Sequence, residues 1–133
     1  ITMRPELFKA AVINLPLTDM INYCNDERGP MYINEFGDPR KELHEYILSY
    51  SPLHNIKKTN YPALFIQTGK LDKNVPCYHA KQFYAKIKDS NTSSNPCLLR
   101  VLEFGGHDVG SGEDHYVLCA QEQLFLEKML NMI

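Results

Sequence analysis

Three short apolar runs dominate the hydropathy pattern of the chain: Ala10-Ala11-Val12-Ile13-Asn14-Leu15, Ala63-Leu64-Phe65-Ile66-Gln67 and Cys97-Leu98-Leu99-Arg100-Val101-Leu102. Each is nearly continuous rather than alternating, which suits strands covered on both faces. Pro62 and Pro96 open the second and third, and proline is tolerated at a strand start. Between and after the runs the spacing changes to three and four. Pro39–Leu48 carries Leu43, Tyr46 and Ile47, with Asp38 as N-cap and Pro39 at the first helical position. Tyr78–Ile87 sets Ala80, Phe83, Tyr84 and Ile87 on one face, and the tail from about His115 to Leu130 repeats Leu118, Leu124, Phe125 and Met129. Strands alternating with helices predict an α/β fold of about three parallel strands with flanking helices. The Ser- and Asn-rich stretch Lys88–Pro96 reads as a surface loop.

Three strands do not complete a doubly wound sheet, so the chain reads as part of a larger domain. Met3-Arg4-Pro5-Glu6-Leu7-Phe8 reads as the tail of a helix already under way, and Ile1 is not Met. The expectation is a C-terminal piece, residues 1–133, of something longer.

Composition narrows the function classes. The 133 residues are 44% hydrophobic and 23% charged, ordinary for a globular domain. A net charge of −2 gives no electrostatic case for nucleic acid or an anionic membrane. No apolar run approaches the roughly 20 residues that span a bilayer. Cys24, Cys77, Cys97 and Cys119 are scattered, with no metal-binding pair among them. They read as small buried hydrophobes in a reducing, cytoplasmic setting. No feature implies a metal or an organic cofactor. Asn91-Thr92-Ser93 fits a glycosylation triplet, which chance also produces.

In a parallel sheet, ligands and reacting groups gather beyond the carboxyl ends of the strands. Asp72 falls a few residues past the second strand, in Thr68-Gly69-Lys70-Leu71-Asp72-Lys73-Asn74-Val75-Pro76, and His107 falls just past the third, in Phe104-Gly105-Gly106-His107. Taken singly, each has a plain reading: Asp as a turn or cap residue, His as a surface residue of a Gly-rich loop. Taken together, Asp then His on successive strands is the order that hydrolases use after a nucleophile. The Asp would fix the imidazole tautomer and the imidazole would move the proton. His44, His54, His79 and His115 have no carboxylate in a comparable setting along the chain and read as surface or structural.

Further blocks accompany this pair in order along the chain: Arg4-Pro5-Glu6-Leu7-Phe8, Glu35-Phe36-Gly37, Tyr50-Ser51-Pro52-Leu53-His54-Asn55-Ile56, Tyr61-Pro62-Ala63-Leu64, the block from Thr68 to Pro76, and Gly106-His107. With these blocks the chain resembles the prolyl oligopeptidase family of serine peptidases, at the C-terminal end of its α/β-hydrolase domain. The resemblance runs through the whole chain in order. It implies Asp72 as triad acid and His107 as triad base. It implies that Asn74 stands where members place an Arg or Asn that anchors the bound peptide, and that Val75 lies near the specificity pocket. The family's Gly-x-Ser-x-Gly-Gly nucleophile elbow would fall before Ile1. Ser49, Ser51, Ser90, Ser93, Ser94 and Ser111 lack glycine two residues away on both sides.

Within the resemblance, the residue four before Phe36 helps choose among subfamilies. Prolyl-specific members carry an aromatic there, usually Trp, whereas the oligopeptidase B branch carries Glu. Here it is Tyr32, in a chain without Trp. Tyr32 and Phe36 would form an apolar slot for a proline ring, with no carboxylate for a Lys or Arg. The expected activity is hydrolysis of short peptides after proline through an acyl-enzyme. The chain would supply only the Asp and His, with the remainder of the catalytic domain as its partner, and would be inactive alone. The alternatives are an oligopeptidase B-like or aminopeptidase-like peptidase, and a non-catalytic homologue that only binds.

Overall fold

The structure, a computed structural model, describes residues 1–108 and 113–132. Three parallel strands form one sheet in the order β1 (Ala10–Asn14), β2 (Ala63–Gly69), β3 (Cys97–Leu102). Val12 pairs with Phe65, and Phe65 with Leu98. Around the sheet lie α1 (Ile33–Phe36), α2 (His44–Tyr50), α3 (Tyr78–Ser90) and α4 (Glu113–Met129). None of the described helices is long and apolar enough to cross a membrane.

Every residue of β2 is buried. Side chains alternate along a strand, so Leu64 and Ile66 pack into one cluster with Ala80, Phe83 and Ile87 of α3. Ala63 and Phe65 face the other way, against Phe125 of α4, with the two phenyl rings 5.6 Å apart. Helices on both faces therefore explain the unbroken apolar run. Burial of Phe83 alone contributes about 1.5–3 kcal/mol. Gln67, fully buried within this run, donates from Nε2 to Asn14 Oδ1 (3.1 Å) and Glu122 Oε1 (2.6 Å). Its Oε1 has no partner among the described residues.

At the end of β1, Leu15 takes a left-handed conformation (φ 49°) while its N–H still reaches Gln67 O at 2.9 Å. A non-glycine residue pays steric strain there. The turn carries the chain over the carboxyl edge of the sheet, where Tyr23–Asn25 and Gly29–Tyr32 form single 3₁₀ turns. A third cluster, of Met20, Tyr23, Cys24 and Ile47 with Tyr32 and Phe36 against it, fixes this segment.

Two expected elements differ. Helix α2 starts at His44, not Pro39. Asp38 Oδ1 accepts the Arg40 N–H (3.0 Å) and both carboxylate oxygens hold the Arg40 guanidinium, so the carboxylate organises a turn rather than a helix start. Leu43 and Tyr46 are correspondingly exposed, and only Ile47 of the expected stripe is buried. Near the start of the chain, Pro5–Leu7 form one 3₁₀ turn and not the end of a long helix. The fixed φ of Pro5 suits that first position, and Phe8 is already extended. The other two expected helices are present, α3 running three residues further and α4 starting two earlier.

Candidate active site

Asp72 lies in the turn that leaves β2. The Lys70 N–H reaches Leu102 O (2.8 Å) and the Leu71 N–H reaches Gly105 O (2.9 Å), so this turn is tied to the loop that leaves β3. Gly69 makes the approach possible. A Cβ there would stand 2.3 Å from Gly106 O and 2.4 Å from Gly105 O, well inside contact distance.

The Asp72 side chain is fully buried, and a buried carboxylate must be met by donors. Its Oδ1 accepts the N–H groups of Asn74 (2.8 Å) and Val75 (3.0 Å). Its Oδ2 lies 2.9 Å from His107 Nδ1. That contact assigns the ring proton to Nδ1 and leaves Nε2 as an acceptor, with no hydrogen-bond partner among the described residues. The His107 side chain is 47% exposed, so Nε2 is accessible to a reactant.

Beside His107 lies a cavity of about 190 Å³. Tyr32, Phe36, Asn74 and Val75, all expected at the peptide site, line it together with His107. The Tyr32 and Phe36 rings are 6.1 Å apart and tilted by 31°. Tyr23 adds a third aromatic wall, edge-on to Phe36 at 5.8 Å, with its hydroxyl donating to Gly37 O (2.6 Å).

Asp26 is also among the lining residues, but its carboxylate is buried. Asp26 Oδ1 accepts from Tyr78 OH (2.9 Å), and Oδ2 lies 2.9 Å from His79 Nε2. His79 is fully buried and its Nδ1 accepts the Asp19 N–H (3.1 Å), so the neutral ring carries its proton on Nε2 and donates it to Asp26. Burial and this carboxylate raise the Tyr78 phenol above its usual range. His79 is thus structural, as expected, but it does have a carboxylate partner. The two are 53 residues apart in the chain, and no local spacing signals the pair.

None of the described serines lines the cavity. Ser51 comes nearest to a nucleophile in appearance, with Oγ 2.9 Å from His54 Nδ1. It is fully buried, however, and its hydroxyl also accepts the Met20 N–H and meets Thr18 O, which joins two loops. Ser111 lies outside the described residues. Asn91 of the glycosylation triplet uses its side-chain oxygen on the N–H groups of Tyr61 and Ser93 and on the Ser93 hydroxyl. Among the described residues no three His, Cys, Asp or Glu side chains converge as a metal site, and all four cysteines are free thiols.

The model of the prolyl oligopeptidase family matches residues 1–132. The chain is 33% identical over 120 residues to the prolyl endopeptidase of Elizabethkingia miricola, covering 88% of this chain and 17% of that protein. It is 33% identical over 114 residues to dipeptidyl aminopeptidase BI of Pseudoxanthomonas mexicana, covering 83% of this chain and 16% of that protein. Oligopeptidase B from Trypanosoma brucei, solved in its closed form with covalently bound antipain, superposes with a TM-score of 0.93 at 30% identity, over 98% of this chain and 19% of that one. The chain thus spans under a fifth of the length of these relatives.

Proposed function

This chain belongs to the prolyl oligopeptidase family, and from that premise we propose that it supplies the acid and base of a serine peptidase whose nucleophile comes from the remainder of the catalytic domain. The observation that carries the reading is the Asp72–His107 contact of 2.9 Å with Nε2 open beside the cavity. The serine hydroxyl attacks the scissile carbonyl as His107 Nε2 takes its proton. The imidazolium, stabilised by Asp72, then gives that proton to the departing amine, leaving an acyl-enzyme. Water repeats the cycle and releases the acid. Asp72 stays ionised throughout, held by the Asn74 and Val75 N–H groups.

For substrate, short peptides cut after proline fit best: Tyr32, Phe36 and Tyr23 present aromatic surface to a flat ring. One observation favours a second reading. The chain superposes on an oligopeptidase B with a TM-score of 0.93, which accords with an oligopeptidase B-like preference.

The test is His107→Ala in the full-length parent, assayed with reporter peptides carrying Pro, Arg or Ala before the cut. A loss on the order of 10³-fold or more is expected, and wild-type-like turnover would reject the role. A parent without a Gly-x-Ser-x-Gly-Gly elbow would instead be a binding homologue. The 133-residue chain alone is expected to show no turnover.

A further inference from the structure

Tyr23 touches both ends of the segment that carries the two slot aromatics. At the near end, Gly29 rests on its backbone, so closely that a Cβ on Gly29 would overlap the Tyr23 carbonyl. At the far end, the Tyr23 hydroxyl donates to Gly37 O at 2.6 Å. Between these two contacts run the Gly29–Tyr32 turn and α1, which bear Tyr32 and Phe36. Gly37 closes α1 in a left-handed conformation (φ 89°), its N–H reaching back to Ile33 O at 2.9 Å. A helix of four residues has no cooperative ladder to hold its own shape. Its end is held from outside, by the Tyr23 hydroxyl and by a longer contact of 3.4 Å from Tyr50 OH to Phe36 O.

Tyr23 is itself firmly placed. It is 1% exposed and packs with Met20, Cys24 and Ile47. Its carbonyl also accepts the Asp26 N–H at 3.1 Å. Burial pushes its phenol above the usual range, so the hydroxyl stays a donor at neutral pH. Its ring meets Phe36 edge-on at 5.8 Å, and Phe36 in turn lies 6.1 Å from Tyr32. All three aromatics line the cavity. We propose that Tyr23 determines ring selectivity: its hydroxyl bond to Gly37 fixes the spacing of the Phe36 and Tyr32 rings, and so the size of ring that the cavity admits. The role rests on the proline reading above and goes beyond it by naming the residue that sets the fit.

The selectivity is read in the full-length parent with Tyr23→Phe, which keeps the ring and deletes only the donor. Two reporters are compared, identical except for proline or its six-membered homologue, pipecolic acid, before the cut. The ratio of kcat/KM for the proline reporter over the pipecolyl reporter is expected to fall by about fivefold or more in Tyr23→Phe, with KM rather than kcat carrying the change, because one hydrogen bond at the slot is lost and the Asp72–His107 contact is not. A role confined to stability moves both reporters equally, and a ratio within about twofold of wild type overturns the proposal. Calorimetry of peptides ending in proline or in pipecolic acid, with His107→Ala alone and combined with Tyr23→Phe, reads the same preference without turnover. A shift of the affinity ratio toward pipecolic acid supports the role; an unchanged ratio, or no binding of either peptide, overturns it. Absence of turnover by the wild-type parent sinks the peptidase reading separately, while the calorimetric ratio still decides the part played by Tyr23.

Discussion

His79 Nε2 stands 2.9 Å from Asp26 Oδ2, the same separation as between His107 Nδ1 and Asp72 Oδ2, yet the first imidazole is fully buried and the second is 47% exposed. Distance alone does not separate a structural pair from a reactive one. What separates them is the second ring nitrogen: His79 spends it on the Asp19 N–H, and His107 leaves it open.

His79→Leu is therefore expected to destabilise the fold without touching the Asp72–His107 pair. It leaves the Asp26 carboxylate, whose side chain is only 8% exposed, without its ring donor. Leaving a buried acceptor without its donor costs about 1–3 kcal/mol, readable as a lower denaturation midpoint of the full-length parent. An unchanged midpoint would show that Tyr78 alone satisfies Asp26.

Asp72→Asn in the parent is expected to lower kcat by roughly 10⁴ with little change in KM, because an amide presenting N–H to His107 Nδ1 selects the wrong tautomer. Steady-state kinetics with any cleavable reporter checks this, and a loss below about tenfold would remove Asp72 from the role of acid.

Tyr32→Ala is expected to reduce kcat/KM for a proline reporter by about tenfold through lost ring contact, and Asp26→Asn to leave it within about threefold. A wild-type kcat/KM higher for the Arg reporter than for the Pro reporter, with Tyr32→Ala without effect, would establish the basic preference instead.

Gly69→Ala forces a methyl group against the carbonyls of Gly105 and Gly106. The loop that bears His107 must then move, so kcat is expected to fall by about 10²-fold, in line with an ångström-scale misplacement of a catalytic group. Wild-type kcat would show that the loop has a second acceptable position.

Thiol labelling at pH 8 is expected to modify Cys119 first, since it is exposed. Burial pushes the Cys97 thiol up to about 11, so almost none of it is thiolate at that pH. Mass spectrometry of the partly labelled chain reads the order, and Cys97 reacting first would contradict the packing at the start of β3.

Much of this architecture is legible along the chain because the strands answer to a local rule. Buried parallel strands read as unbroken apolar runs, and Ala63 to Gln67 is one. The placement of Asp72 and His107 beyond successive strands follows from topology, so the two come together although they are 35 residues apart. The start of α2 was not legible because Asp38 has two competing uses, as a cap and as a turn acceptor, and the guanidinium of Arg40 decides between them in space. Asp26 and Tyr23 were missed for a similar reason. Their partners His79 and Gly37 are distant in sequence, and the irregular segment that carries them has no period to read.

The mutual bracing of the two loops, with Gly69 nested under Gly105 and Gly106, has a consequence for engineering. The contacts that hold the acid–base geometry fall within residues 69–107, on a sheet that the chain itself builds, so the chain carries the pair as one unit. In a split-enzyme format it would bring its dyad ready-made to a complementary piece carrying the serine. Reassembly would be a docking problem along the open edge of β1 and would leave the proton-transfer machinery unaltered.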